Sequence, residues 1–210
     1  MISNYKKKKF EIIVFSILLL LPIFIDSYYL DNISYFMCWT FISLGLAVIW
    51  GMGGILSFGQ TAFFGLAGYG FSVISINFLG IAGVSIWSVV LSLIITGIFG
   101  MIVGYFLFYG GIYDVFIGIV TLAITLVLET FMQQTAGPEY AIGSARLNGF
   151  NGMQGMPTIG FESLQFGLLE GVTQYYFILL LAIIILISLY KFKQSKIGLV
   201  FLASKEDRER

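Results

Sequence analysis

Residues 44–70 read LGLAVIWGMGGILSFGQTAFFGLAGYG, two apolar segments separated by a glycine-rich interruption. The interruption, residues 51–60, carries no charge and contains four glycines. Glycine adopts positive φ and lets backbones approach closely, so it commonly ends one helix and precedes the next. Non-helical backbone is tolerated at membrane depth only where protein or a water-filled cavity surrounds it. The pattern therefore predicts either a broken, re-entrant helix that lines a path or an ordinary short turn at the membrane surface.

The composition points to a membrane protein. Hydrophobic residues make up 59% of the 210 residues and charged residues only 10%, and the mean hydropathy is +0.97. Soluble domains carry about 25% charged residues, so a soluble globule is excluded. The net charge is zero, which gives no electrostatic signature of nucleic-acid binding. The single cysteine, Cys38, has no partner for an intramolecular disulfide.

Apolar segments of about 20 residues are long enough to cross a bilayer as helices. They predict an all-α integral membrane protein of one domain with about six transmembrane helices, at residues 10–30, 33–50, 61–78, 86–109, 113–132 and 172–190. Pro22 is expected to kink the first helix locally. The glycine-rich interruption falls between the second and third helices. The polar, glycine-rich residues 133–171 are expected to form a long loop.

Lysine and arginine predict the orientation of these helices. Four lysines at residues 6–9 precede the first helix. Six basic residues follow the sixth helix: Lys191, Lys193, Lys196, Lys205, Arg208 and Arg210. An even number of helices puts both clusters on the same side, so both termini are expected in the cytoplasm and the 133–171 loop outside.

Few residues in the chain suit catalysis. Hydrolysis within a membrane needs a nucleophile with a base or a pair of carboxylates, and the chain has no histidine and no two carboxylates near the middle of the predicted helices. No phosphate-binding loop motif is present, so the chain does not supply ATP hydrolysis. Glu129 is the clearest intramembrane carboxylate and therefore a candidate functional site. The alternative is that Glu129 lies one turn from the outer surface and reaches water.

The residues around the interruption resemble the signature of the branched-chain amino-acid ABC permease family, which includes the similar urea permeases. Residues 53–60 read GGILSFGQ and are followed by Ala62, Phe63, Gly65 and Tyr69. The usual family form is G-x-L-S-x-G-[QH]-A-A-F-x-G-x-G-A-Y, in which Thr61 here replaces the first alanine.

Three more segments carry the same resemblance. Residues 119–123, IVTLA, are similar to a family segment in a later helix, and residues 151–157, NGMQGMP, are similar to its outward glycine-rich loop. Residues 195–206, SKIGLVFLASKE, resemble the cytoplasmic segment that contacts the ATPase. Family members continue with further helices, so the sequence predicts a partial permease domain that ends within this coupling segment, residues 191–210.

The resemblance implies one permease subunit of an ATP-driven importer in a bacterial or archaeal cell membrane. Such subunits assemble with a sister permease, two ATP-binding cassette subunits and an external solute-binding protein. The chain itself would bind no cofactor, because the partner subunits use the ATP. The implied solute is a branched-chain or other hydrophobic amino acid, and the alternative is urea or a short-chain amide.

Two other classes of function remain open from the sequence. One is a six-helix structural or assembly protein without a transport path. The other is an ion-coupled carrier, which needs intramembrane acids for coupling and is disfavoured because such acids are scarce here. The coupling-like carboxyl-terminal segment disfavours both.

Two groups of site residues are predicted. The N–H groups at the start of the third helix have no partner within that helix, and this end of the helix is mildly positive. The residues expected to line or border the substrate path are therefore those of the signature: Gly54, Ser57, Gly59, Gln60, Phe64 and Tyr69. The carboxyl-terminal segment is expected to lie as a short helix in a groove of the ATPase, with Gly198, Ala203, Glu206 and Asp207 as its contact residues. No residue is predicted to be catalytic or to bind a metal.

Overall fold

Helices form most of the computed structural model, which describes residue 9 and residues 13–113, 115–161, 166–167 and 171–206. In chain order the elements are α1 (Ile13–Ile23), α2 (Ser27–Leu46), α3 (Gln60–Asn77), α4 (Val84–Tyr109), α5 (Val115–Gln133), β1 (Ala141–Ile142), β2 (Ala145–Arg146), β3 (Gly160–Phe161), β4 (Phe166–Gly167), α6 (Gly171–Gln194) and α7 (Lys196–Glu206). A π-helix, Ala47–Met52, continues α2 to Gly53, and the end of α2 denotes the end of this continued helix. The mostly helical, apolar architecture fits the predicted class of all-α membrane protein.

Within the described residues, four helices are long and apolar enough to cross a membrane. They are Ser27–Met52, α4, α5 and α6. The predicted third span, residues 61–78, corresponds to α3, but α3 is less apolar because it contains several glycines and is polar at both ends. The count of six membrane-spanning helices therefore stays a prediction.

The first predicted span, residues 10–30, is wrong as a single helix. The described part of it forms α1, and the last turn of α1, Leu21–Ile23, is a 3-10 helix that contains Pro22. The next helix begins at Ser27, after Asp26 in an extended conformation. Residues 10–12 lie outside the described part of the chain. As a consequence, α2 begins before the predicted second span, residues 33–50.

Pro22 explains this difference. Proline has no N–H to donate to the carbonyl four residues earlier, which is that of Leu18. The Leu18 carbonyl instead accepts a 2.6 Å hydrogen bond from the hydroxyl of Tyr175 in α6. Because α6 satisfies the freed carbonyl, the helix can end at Pro22 rather than bend and continue. Tyr175 is fully buried and packs with Leu30 and Leu179, so the same contact holds α2 against α6.

Small residues bring α3 and α4 close together. A Cβ on Gly70 would lie 3.2 Å from Cβ of Ser92, so any larger residue at position 70 would push the helices apart. The rings of Phe63 and Phe99 meet edge to face with centroids 5.9 Å apart. Small residues at interfaces are typical of helices packed within membranes, where close backbone approach replaces the hydrophobic effect.

The predicted 133–171 loop contains more structure than expected. Strands β1 and β2 pair antiparallel, as do β3 and β4, and Gly149–Asn151 forms a 3-10 turn. The amide of Asn77, the last residue of α3, donates to the Ile142 carbonyl at 2.8 Å and accepts from the Ser144 N–H at 2.8 Å. These bonds fix the first hairpin to the end of α3.

Residues of the first hairpin and of the segment after it pack over the same end of the molecule. Ala145, Leu147 and Met153 are buried there. They form a cluster with partly buried side chains of α3 and α5: Tyr69, Val73, Ile76 and Met132. The segment therefore covers one end of α3 and α5.

Candidate functional site at the interrupted helix

The helix that precedes the interruption ends at a glycine with positive φ. Gly54 has φ of 66° and donates its N–H to the Trp50 carbonyl at 3.0 Å. The N–H of Ile55 reaches back to the Ile49 carbonyl at 3.2 Å. A residue with a Cβ is strained in this conformation, so glycine at position 54 allows the helix to end here. Residues 54–59 are not helical, whereas residues 51–53 continue the preceding helix and Gln60 begins α3, so the interruption is shorter than the predicted residues 51–60.

The interruption lies alongside α5. The N–H of Phe58 donates to Oγ1 of Thr121 at 3.0 Å, and the Phe58 carbonyl accepts from Oγ1 of Thr125 at 3.1 Å. Thr121 and Thr125 are six and ten residues beyond Val115, the first residue of α5, which places them about 9 and 15 Å along the helix. Phe58 is therefore held beside the middle of α5.

Two glycines allow this close approach. A Cβ on Gly118 of α5 would lie 3.4 Å from the Leu56 carbonyl oxygen and 3.4 Å from the Phe58 ring. A Cβ on Gly59 would lie 3.4 Å from Cβ of Thr121. Larger residues at either position would crowd the contact between the interruption and α5.

After the interruption the chain lies next to α2. A Cβ on Gly45 of α2 would lie 3.9 Å from Cγ of Gln60, the first residue of α3. Gly45 precedes Gly53 by eight residues, which is about 12 Å of helix. The chain therefore turns back after Gly53 and runs alongside the preceding helix. Helix α3 begins at the level of Gly45, about 12 Å back from Gly53.

Ser57 and Gly59 stabilise the interruption internally. Oγ of the buried Ser57 accepts the N–H of Gly59 at 3.2 Å. None of the described side chains caps the start of α3. The hydroxyl of Ser57 instead accepts the N–H of Gly59, the residue just before that helix.

A cleft of about 380 Å³ begins beside the interruption, between α3 and α5. Its walls come from three elements: Thr61, Ala62, Gly65, Leu66 and Tyr69 of α3, Thr125, Leu128, Glu129, Met132 and Gln133 of α5, and Gly149 and Phe150 of the 3-10 turn. Most of the lining is apolar. Within the cleft, Nε2 of Gln133 donates to Oε1 of Glu129 at 3.0 Å.

The cleft brings together two of the predicted site residues, Tyr69 and Glu129. Gly54, Ser57 and Gly59 belong to the interruption and do not line the cleft. Gln60 and Phe64 do not line it either, because each residue of a helix is rotated by roughly 100° from the one before. This rotation directs Gln60 toward α2 and leaves the Phe64 side chain 51% exposed.

The carboxyl-terminal helix α7 is fixed at both of its ends. Ser195 caps its start, since Oγ of Ser195 accepts the N–H of Gly198 at 3.1 Å. Near its other end, Nζ of Lys205 donates to the Gly51 carbonyl at 3.2 Å. The ring of Phe201 lies against Gly53, where a Cβ would come within 2.5 Å of the ring. Helix α7 therefore packs against the end of α2, next to the interruption.

The predicted coupling residues have different places on α7. Gly198 is buried against the last turn of α6, where an added Cβ would overlap the Phe192 carbonyl oxygen. Gly198 therefore allows the close turn between α6 and α7 and does not lie on the outward surface of α7. Ala203 is exposed. The side chain of Glu206 and all of Asp207 lie outside the described part of the structure.

The sequence alone did not assign a role to four residues that form these contacts: Thr121, Thr125, Phe201 and Lys205. For Thr121 and Thr125 the sequence does contain a signal, namely two hydroxyl residues four positions apart in an apolar helix. Such spacing puts both on one helical face, although it does not identify the backbone that they bond. Phe201 and Lys205 share the same spacing of four in α7.

The apolar helices and their irregular connection define a multi-pass membrane protein. A family model described as branched-chain amino acid transport system / permease component matches residues 28–210. The chain belongs to this family and is a permease component of a transport system, as the resemblance in the sequence indicated. The match begins in the first turn of α2, so α1 precedes it. No curated protein and no solved structure matches the chain.

Proposed function

We propose that the chain is the permease subunit of an ATP-driven importer and that the cleft between α3 and α5 forms part of its solute path. The observation that carries this proposal is the position of the interruption beside the middle of α5. Helix α5 has 19 residues, a length of about 28 Å, close to the roughly 30 Å of a hydrocarbon core. Residues hydrogen-bonded to its middle turns then lie at membrane depth.

Irregular backbone at that depth is typical of transport sites. It is tolerated where it is buried in protein or lines a cavity, and transporters commonly build their binding sites from discontinuous helices. Both conditions agree with the hydrogen bonds from Phe58 to α5 and with the cleft that begins beside them. These observations favour the re-entrant interpretation of residues 51–60 over a turn at the membrane surface.

The chemistry of the cleft suits a small solute with an apolar body and a polar end. Its volume of about 380 Å³ falls in the common range for small-molecule sites, roughly 300–1,000 Å³. Tyr69, Thr125 and Glu129 provide polar groups on mostly apolar walls. The Glu129 carboxylate complements an ammonium group, which favours a branched-chain or other hydrophobic amino acid. Urea or a short amide is the alternative, since either also donates N–H groups.

The partner subunits follow from the same proposal. An external binding protein would deliver the solute at the 133–171 segment, and the path would run between this chain and a sister permease. Helix α7 would contact an ATP-binding cassette subunit through its outward face, where Ile197, Leu199 and Val200 are exposed. An apolar helical face of this kind fits a groove in a partner. The partner subunits would bind and hydrolyse the ATP.

The test is uptake by the complete importer, assembled with its partner subunits in proteoliposomes. Labelled leucine and labelled urea are supplied separately, each with its binding protein, and ATP-dependent uptake is measured. Glu129→Gln removes the charge but keeps the shape of the side chain. If Glu129 holds an ammonium group, we expect KM for leucine to rise roughly ten- to hundredfold, because hydrogen bonds to charged groups contribute about 1.5–3 kcal/mol.

Glu139→Gln is the matched control, since Glu139 is an exposed carboxylate in the 133–171 segment and does not line the cleft. It should leave KM unchanged. A normally assembled Glu129→Gln complex with wild-type KM would exclude Glu129 from the solute site. Absence of ATP-dependent uptake of both solutes by the wild-type assembly would refute the proposed import of these solutes.

A further inference from the structure

The two threonines that hold Phe58 differ in how fully their hydroxyl groups are used. Thr121 is only 4% exposed. Its Oγ1 accepts the N–H of Phe58 and donates to the Ile117 carbonyl at 2.8 Å, with the Gly118 carbonyl at 3.1 Å. A hydroxyl has one proton and two acceptor lone pairs. The proton of Thr121 and one of its lone pairs are therefore occupied, and its burial keeps solutes away.

Thr125 has hydrogen-bonding capacity left. Its single proton is shared between the Phe58 carbonyl at 3.1 Å and the Thr121 carbonyl at 2.9 Å. Among the described residues, no group donates a hydrogen bond to Oγ1 of Thr125. The side chain also lines the cleft. Oγ1 of Thr125 therefore hydrogen-bonds to the interruption, borders the cleft and still has free lone pairs that can accept a hydrogen bond.

We infer that Thr125 is a positioning residue that couples occupancy of the cleft to the position of the interruption. A solute that donates an N–H to Oγ1 of Thr125 makes the threonine proton a stronger donor, because hydrogen bonds in a chain polarise one another. The strengthened proton binds both of its acceptors more tightly, and its bond to the Phe58 carbonyl fixes the interruption more firmly against α5. This role rests on one part of the proposed function, namely that the cleft takes a solute.

The arrangement of α5 supports a ligand with an N–H group. Glu129 lies four residues after Thr125 on the same helical face, and both line the cleft. Side chains at this spacing have Cβ atoms about 5–6 Å apart, so one amino or amide group can meet a carboxylate and a hydroxyl acceptor together. Thr121 lies four residues before Thr125 but is absent from the cleft lining, so it holds the segment without contacting the solute.

Hydrogen exchange of the peptide that covers residues 55–60 tests this coupling in the complete assembly. Leucine and urea are the two probes, added separately at saturating concentration. We expect at least one probe to slow exchange roughly two- to tenfold, the range expected from strengthening one hydrogen bond. Thr125→Ser should keep this effect, because it retains the hydroxyl. Thr125→Val should abolish it, since valine has nearly the same shape and no hydroxyl.

Thr121→Val is the matched control. It removes the acceptor of the Phe58 N–H, so exchange should be faster without solute, while slowing by the probe persists. Thr125→Ala replaces Thr125→Val if the valine variant does not assemble. The inference is overturned if neither probe slows exchange in the wild type, or if slowing survives in the variants without the hydroxyl. Slowed exchange without ATP-dependent uptake would refute the importer proposal and leave this inference standing.

Discussion

Gly198 shows how the structure changes the role of a single residue. The sequence placed it among the contacts to an ATPase, but it lies at the turn where α7 folds back onto α6. An added Cβ would overlap the Phe192 carbonyl oxygen and lie 3.2 Å from Cα of Lys193. Both are backbone atoms of α6 and cannot rotate away. A charge introduced at position 198 would therefore disturb the turn before it affected any partner.

Gly198→Ala is expected to destabilise the protein by about 1–3 kcal/mol, the usual cost of overpacking. The measurement is the thermal unfolding midpoint of the purified protein in detergent. Gly97→Ala in α4 is the control, since no described atom outside its own helix lies within 4 Å of the added Cβ. Alanine is the better helix former, so Gly97→Ala should leave the midpoint unchanged or raise it. Equal midpoints for Gly198→Ala and the wild type would contradict the packing described at this turn.

At the scale of elements, α7 contacts the end of α2 through the ring of Phe201 and the hydrogen bond of Lys205. Gly53 has φ of −90° and ψ of −10°, and this negative φ does not require glycine. The obstacle to a side chain at position 53 is the ring of Phe201, which would lie 2.5 Å from the Cβ. The cost of Gly53→Ala therefore depends on Phe201, and this dependence can be measured.

A double-mutant cycle of Gly53→Ala and Phe201→Ala gives the coupling. Gly53→Ala alone should be destabilising, whereas in the Phe201→Ala background the space is open and the substitution should be close to neutral. We expect a coupling of about 0.5–3 kcal/mol, typical of residues in contact, measured from thermal unfolding of the four proteins. Gly97→Ala combined with Phe201→Ala should be additive. Additivity for the Gly53 pair would show that α7 does not pack on α2 in solution.

The elements also show what the sequence could predict. Hydropathy located α4, α5 and α6 because long apolar segments have few other structures in a membrane. The glycines located the interruption, since Gly54 needs positive φ. Pro22 indicated where α1 is interrupted, whereas the bond from Tyr175 that satisfies the Leu18 carbonyl was not predictable from local pattern, because the two residues lie 157 positions apart in the chain. The bonds from Thr121 and Thr125 to Phe58 likewise join segments more than 60 residues apart.

In the whole molecule, several elements converge on one connection. The interruption is hydrogen-bonded to α5. The end of α2, which precedes the interruption, contacts α7. Helix α3 follows the interruption, and Asn77 joins its far end to the first hairpin. A displacement of α7 and an occupant of the cleft would therefore act on adjacent parts of the same segment. This arrangement gives the two proposed inputs, ATPase contact and solute, a short physical connection.

The same arrangement bears on orientation. Helix α7 lies beside Gly51 at one end of α2, whereas the first hairpin lies at Asn77, the far end of α3. The 18 residues of α3 span about 27 Å, close to the thickness of a hydrocarbon core, and α3 begins beside Gly45, six residues before Gly51. The 133–171 segment and α7 therefore lie on opposite sides if α3 crosses the membrane. Lysines at the carboxyl-terminal end of α6 and in α7 favour the cytoplasm for α7.

Single cysteines test this orientation in a Cys38→Ser background, which removes the natural thiol. Gln154→Cys and Lys196→Cys both replace exposed side chains, one in the 133–171 segment and one at the start of α7. Ser144, in the same segment, is a less suitable position for a cysteine, because its N–H and its hydroxyl both hydrogen-bond to the Asn77 side chain. In intact cells an impermeant thiol reagent should label Gln154→Cys and should label Lys196→Cys only after the membrane is opened. Asn151→Cys and Lys193→Cys form a second exposed pair that should repeat the pattern. Labelling of both members of a pair from the same side would exclude a membrane between them and, with it, α3 as a spanning helix.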